Sequence, residues 1–215
     1  MALSLYFHPL ASYCWKVLLA LYENETPFSP ELVDLGNQAQ RDAFFKLAPL
    51  GKFPVLRDDA SGRLVYESTI IIEYLAEQHP GRIALIPADR ALALEVRAQD
   101  RFFDQQIHEP MQKHVGDKLR PEGKRDPYGV EQAHAQLEKA YGILEGTLTG
   151  RTWAAGDTFS MADCAAAPAL YYAALVHPIG VAYERVSSYL KRLEARPTFA
   201  RVLTEAQPYF AMFPG

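Results

Sequence analysis

The sequence predicts an α/β unit in the order βαβαββα, followed by an all-α helical bundle. Three observations predict it. The segments that read as strands all lie in the first 66 residues. From about residue 89 onward, apolar residues recur at helical spacing and no convincing strand is found. Between the two patterns lies Pro80-Gly81, with Pro87 in the connection that follows. The expected units are 1–80 and 89–215, joined by a linker at 81–88. A length of 215 residues suits two small domains or one large one.

Residues 2–7 read as a buried strand, which His8-Pro9 ends because proline offers no ladder donor. A helix follows from Ser12 to about Asn24, with Cys14, Val17, Leu18, Leu21 and Tyr22 on one stripe. Thr26-Pro27 turns the chain into a strand at 28–34, and 38–47 reads as a helix. A helical crossover between the first two strands implies a parallel pair. Asp58 to Gly62 is a turn by composition, so 53–66 reads as an antiparallel hairpin. Ser68 then caps a helix that runs to about His79. Helical patterns cover 89–115, 129–148, 160–177, 183–195 and 198–206, and Gly116 to Gly129 connects the first two. Ser160 and Asp163 have capping-box spacing, and Phe159 and Cys164 occupy the staple positions. Pro168 is expected to kink that helix.

Composition narrows the function. Hydrophobic residues make up 49% and charged residues 22%, which excludes a disordered chain. The net charge is −4, and residues 1–80 carry all of it, with six basic against ten acidic side chains. Without a basic footprint, nucleic acid and anionic membrane are not expected partners. Cys14 and Cys164 lie far apart with no CxxC, which argues against a disulfide framework and for a reducing, cytoplasmic setting. The apolar start lacks a preceding Lys or Arg and is interrupted by Lys16, so it makes a poor signal peptide. The longest apolar run, Cys164 to Val176, is shorter than the roughly 20 residues that span a membrane. The six histidines include no metal-spaced pair.

Three segments carry chemistry and a fourth carries the fold. In the first, Leu5 to Val17, Ser12 stands at a helix N-terminus, where N–H groups and the dipole favour an anion. Read alone, Ser12 is equally an N-cap. Cys14, on the apolar stripe, reads as a buried thiol. The second is Gly51-Lys52-Phe53-Pro54, in which Lys52 alone reads as a solvated charge. The third is Tyr66-Glu67-Ser68-Thr69, where a hydroxyl and helix-start N–H groups can grip a carboxylate. The fourth is Gly156 to Asp163, the capping segment.

Together with the order of the units, these segments resemble the cytosolic glutathione transferase family, in a bacterial-type form with a serine loop. The resemblance covers essentially the whole chain. It implies a thioredoxin-like, glutathione-binding first unit and a helical bundle that completes a pocket for a hydrophobic electrophile. Ser12 would face the glutathione sulfur as the catalytic hydroxyl; Cys14 and Tyr6 are the rivals for that place. A cis Phe53–Pro54 bond would aim the Phe53 backbone at the cysteinyl part of glutathione. Lys52 would meet the glycyl carboxylate, Ser68 the γ-glutamyl carboxylate and Glu67 the γ-glutamyl amine. Phe102, Phe103, Gln106 and His114 would supply pocket wall, and Tyr171, Tyr172, Phe210 and Phe213 could cover it. Asp100 or Asp104 would reach across a homodimer. Glutathione is the expected cosubstrate, with no metal, membrane or nucleic acid.

The resemblance implies a transferase. Isomerisation, dehalogenation, peroxide reduction and ether cleavage also occur on this scaffold, as does disulfide reduction through a cysteine such as Cys14. A non-catalytic binding module is the third reading.

Overall fold

The computed structural model describes residues 2–214. Its first part is a four-stranded sheet in the order β2-β1-β3-β4, with β1 Leu3–Phe7, β2 Ser29–Leu32, β3 Val55–Asp58 and β4 Arg63–Tyr66. β1 and β2 run parallel, with Leu5 opposite Pro30. β1 pairs antiparallel with β3, and β3 with β4, as a hairpin requires. Helix α1 (Ser12–Glu23) makes the crossover, α2 (Gln38–Leu47) follows β2, and α3 (Ser68–Gln78) follows the hairpin. Asp58 locks the hairpin turn. It accepts from the Tyr74 hydroxyl at 2.6 Å and from the Ala60 N–H at 2.9 Å, and pairs with His79 at 3.1 Å.

Helices fill the second part: α4 (Arg90–Phe102), α5 (Glu109–Lys118), α6 (Pro127–Thr147), α7 (Met161–Val176), α8 (Glu184–Glu194) and α9 (Pro197–Ala206). Two features depart from the sequence reading. The single helix expected over 89–115 is α4 and α5 joined by a wide π-helical turn, Phe103–His108. A 3₁₀ turn, Gln207–Met212, closes the described chain. Such wide turns rotate the residues after them relative to a regular 3.6-residue helix, and they recur at functional sites.

The capping segment forms as its spacing predicts. The buried Asp163 carboxylate accepts from the Ser160 N–H at 2.8 Å and the Ser160 hydroxyl at 3.0 Å. It also accepts from the Ala154 N–H and the Tyr189 hydroxyl. Ser68 does not cap α3. It is the first helical residue, and Glu67 holds the cap position without a side-chain bond.

One apolar core runs through both parts, from Leu3 and Leu56 in the sheet to Phe199 and Val202 in α9. Helix α1 lies at its centre and packs on α3, α7 and α9. Trp15, fully buried, stacks at 4.7 Å on Tyr172 and meets Phe199 edge-on at 6.0 Å. Two buried charges on α1 complete the junction. Glu23 takes both arms of Arg196, at 2.5 and 2.6 Å, and also accepts from Thr198. Lys16 sits between Asp100 at 2.6 Å and Asp104 at 2.9 Å.

Two stability predictions follow from these contacts. Removing a buried partner strands the other charge, so Glu23→Leu should cost about 3 kcal/mol in urea unfolding, whereas exposed Arg201→Ala should cost under about 0.5. The Tyr74 hydroxyl, then His79 and the turn N–H groups, hold the Asp58 carboxyl well below the usual carboxylate range. Its stabilisation is therefore fully present above the unfolded value of about pH 4 and lost as pH falls further. Asp58→Asn should flatten that acid limb in a stability–pH series; an unchanged limb would clear Asp58 of the role.

Candidate functional site

The site is assembled around the first turn of α1. The loop before it is pinned from two sides. The Trp15 indole donates to the Pro9 carbonyl at 2.5 Å, and the Tyr172 hydroxyl donates to the Leu10 carbonyl at 2.9 Å. Ser12 follows, 8% exposed, as the first residue of the helix. Cys14 and Trp15 N–H groups bond back to Ala11. The N–H groups of Ser12 and Tyr13 find no backbone partner among the described residues, as the opening of a helix leaves them.

His108, the last residue of the π turn, hydrogen-bonds through Nε2 to Ser12 Oγ. Its ring lies 4.1 Å from the Tyr13 ring. Burial, with the nearby Lys16 charge, pushes the imidazole down to about 4, so His108 is neutral at neutral pH. Arg101 braces the same corner. Its guanidinium reaches Asp100 at 2.7 Å and Asp104 at 2.5 Å, and bonds Thr69.

Two further turns face Ser12. Gly51, at φ 64, precedes Lys52; a Cβ there would lie 2.1 Å from the Phe45 ring, so the position requires glycine. The Phe53–Pro54 bond is cis, and the Phe53 ring stacks on Phe44 at 4.5 Å. Glu67 has φ 66 and ψ 121, outside the regions a side chain favours. Such a residue costs on the order of 1–3 kcal/mol and is typical of ligand clamps. Here it turns the chain sharply into α3, whose first residues Ser68 and Thr69 border the third cavity.

Three cavities meet at Tyr13, which borders all of them. An apolar one of about 430 Å³ is walled by Leu10, Met111, Val115, Tyr172 and Phe213, with Ser12 and His108 on its lining. A second, about 390 Å³, lies between Lys52-Phe53-Pro54 and Tyr66-Glu67-Ser68. The third, about 500 Å³, continues past Glu67 and Ser68 to Arg101, Asp104 and Gln105. The second and third share Tyr13, Glu67 and Ser68 and form a trough with more polar groups on its lining than the apolar chamber beside it. Lys52 and Phe53 border both trough and chamber.

Ser12, Lys52 and Phe53 thus line the chamber, and Lys52, Phe53, Pro54, Glu67 and Ser68 line the second cavity beside it. The other candidates are placed differently. Tyr6 points into a small core under α2 and binds Arg57 through its hydroxyl at 2.7 Å. Cys14 is fully buried, and burial pushes its thiol up to about 12. Phe103 packs in the core against Phe102 and Tyr189, because the π turn faces it inward. Gln106 is exposed and meets only Gln136, at 3.4 Å. Asp100, fully buried, is spent on Lys16 and Arg101 of its own chain rather than free for a neighbour. Asp104 is held the same way, and both acids border the third cavity. His114 also misses the chamber and pairs with His134 at 2.9 Å. Of the suggested cover, Tyr172 and Phe213 line the chamber, whereas Tyr171 and Phe210 pack beside Trp15.

Sequence reasoning missed His108, Tyr13, Met111 and Val115. For Met111 and Val115 the i, i+4 spacing was a usable signal. For His108 there was none, because its contact is made 96 residues away, across a wide turn.

Comparison with known proteins agrees with this architecture. Residues 5–82 match the glutathione S-transferase N-terminal domain, and residues 127–192 match the C-terminal domain. Glutathione S-transferase GstB of Escherichia coli (strain K12) is 28% identical over 195 residues, covering 87% of this chain and 91% of that protein. Disulfide-bond oxidoreductase YfcG of the same strain is 28% identical over 213 residues, covering 95% and 96%. A crystal structure of a glutathione S-transferase from Methylobacillus flagellatus with glutathione bound superposes with a TM-score of 0.83 at 26% identity, covering 93% of this chain and 98% of that one. The fold is that of a two-part glutathione transferase, a mixed sheet with helices followed by a helical bundle. The chain belongs to the glutathione S-transferase family.

The sealed thiols give a direct check. Cys14 and Cys164 are both fully buried, and burial raises both. Native protein at neutral pH should therefore release no colour from a thiol-reactive disulfide reagent, and denatured protein two equivalents. A fast native equivalent that Cys14→Ala abolishes would overturn the sealed assignment.

Proposed function

We propose that the protein is a glutathione transferase, with glutathione extended along the trough and a hydrophobic electrophile in the apolar chamber. One observation supports the reading: Ser12 lines the chamber, and its neighbour Tyr13, with Lys52 and Phe53, borders both chamber and trough. Lys52 would take the glycyl carboxylate, the Phe53 backbone the cysteinyl segment, and Ser68 with the α3 N–H groups the γ-glutamyl carboxylate. The exposed Glu67 carboxylate would take the γ-glutamyl amine. Pro54 holds the turn that presents Phe53.

The chemistry asked of the protein is small. A free thiol of pKa about 8.5 is a few per cent ionised at pH 7. Lowering it by about two units needs roughly 2.7 kcal/mol. A hydrogen bond from Ser12 to the thiolate supplies about 1.5–3, and the α1 N-terminus about 0.3–2. The nucleophile belongs to glutathione, so the protein contributes orientation and charge stabilisation. A homodimer goes with this reading. Ile70 of α3 and Leu94 of α4 are exposed beside the Glu73–Arg97 ion pair and offer an apolar face for it.

A Cys14-centred disulfide reductase finds no support in a thiol that is buried and protonated. The test is conjugation of glutathione to an activated aryl halide. Ser12→Ala should lower kcat/KM at neutral pH by about 10–100-fold, the worth of one hydrogen bond to a charged group. An unaltered rate would remove Ser12 from the mechanism. Calorimetry showing no glutathione binding would leave a non-catalytic module.

A further inference from the structure

We infer that His108 is a positioning residue that makes Ser12 a donor: its Nε2–H bonds to Ser12 Oγ and frees the Ser12 proton for the glutathione sulfur. This inference rests on the function proposed above and assigns the hydrogen bond behind it.

The argument is one of counting hydrogens. Ser12 has a single hydroxyl hydrogen, and a serine oxygen can donate once while accepting twice. His108 Nε2 bonds to that oxygen. If Ser12 donates to Nε2, no hydrogen remains for sulfur. Ser12 can serve a thiolate only if Nε2 carries the hydrogen and donates. A neutral imidazole has one N–H, so the required species is the Nε2–H tautomer with Nδ1 bare.

Three features hold the ring to that task. The π turn carries it to α1, and the Tyr13 ring covers one side. The groups around it are Tyr13 and Lys16 of α1, Asp104 of its own turn, and Lys52 across the chamber. Burial and the Lys16 cation both oppose a second proton, so His108 does not become a cation that would pair with the thiolate in place of Ser12. An anion at sulfur favours the aligned chain N–H to O–H to S⁻, because each dipole then points the same way and strengthens the next. The proton balance is simple. The glutathione thiol gives its proton to solvent, and Ser12 and His108 keep one hydrogen each.

The test compares His108→Leu, which cannot donate to Ser12, with His108→Gln, whose amide can. The ultraviolet absorbance of the thiolate, followed against pH in the glutathione complex, reports the bound thiol. In His108→Leu the titration should move up by about one unit, with kcat/KM falling about fivefold near pH 6.5 and recovering as pH rises. His108→Gln should restore most of the loss. Binding of S-methylglutathione, which has no thiol to ionise, should be unchanged in both variants and so separates this effect from misfolding. In the wild-type complex, ¹⁵N shifts should show His108 as the Nε2–H tautomer. A titration that does not move in His108→Leu, a His108→Gln no better than His108→Leu, or the Nδ1–H tautomer would each overturn the inference. Wild-type protein that binds no glutathione would instead overturn the functional reading beneath it.

Discussion

A lysine buried to 1% exposure must be paired, and much of this molecule is arranged around that demand. Lys16 lies one turn into α1. Its partners Asp100 and Asp104 come from the end of α4 and from the π turn. Asp100 Oδ1 accepts no well-angled hydrogen bond, so the Lys16 ammonium at 2.6 Å is its compensation. Pulling both acids onto α1 draws the π turn with them, and His108 at its far end arrives at Ser12. A buried cluster of one lysine and two acids therefore sets the geometry of the site. The same helix ends in Glu23, clamped by Arg196, so α1 is fixed to the helical part at both ends.

The distribution of charge sharpens the picture of binding. The part that carries the net negative charge is the one proposed to take an anionic tripeptide, so attraction at a distance contributes little. Recognition then depends on local groups: one lysine, two helix openings and the backbone of a turn. The strained Glu67 fits this economy. Its φ of 66 leaves α3 uncapped by a side chain, which keeps the helix-start N–H groups available.

Local pattern made the elements legible. Strands, crossover, hairpin and capping segment all follow from spacing within about ten residues. The Gly-Lys-Phe-Pro and Glu-Ser segments were legible for the same reason, since each is a short turn whose chemistry lies in its own residues. Contacts made at long range were not. Asp100 and Asp104 looked like acids free to reach another chain, because nothing local marks Lys16 as their partner. Phe103 and Gln106 were placed on the wall by a regular helical period that the π turn breaks. Ser68 looked like a cap because its type favours one, whereas the backbone at Glu67 took the cap position.

The continuous core has a consequence for how such a chain can change. Trp15 is covered by aromatic residues of α7, α9 and the closing 3₁₀ turn. Cutting the chain between α3 and α4 would lay that indole, Lys16 and Glu23 open to water at once. The two parts are thus poor candidates for exchange between relatives, however modular their sequences look. Substitution is easier in the chamber wall, where Met111, Val115 and Phe213 can change while the sheet and its turns stay as they are.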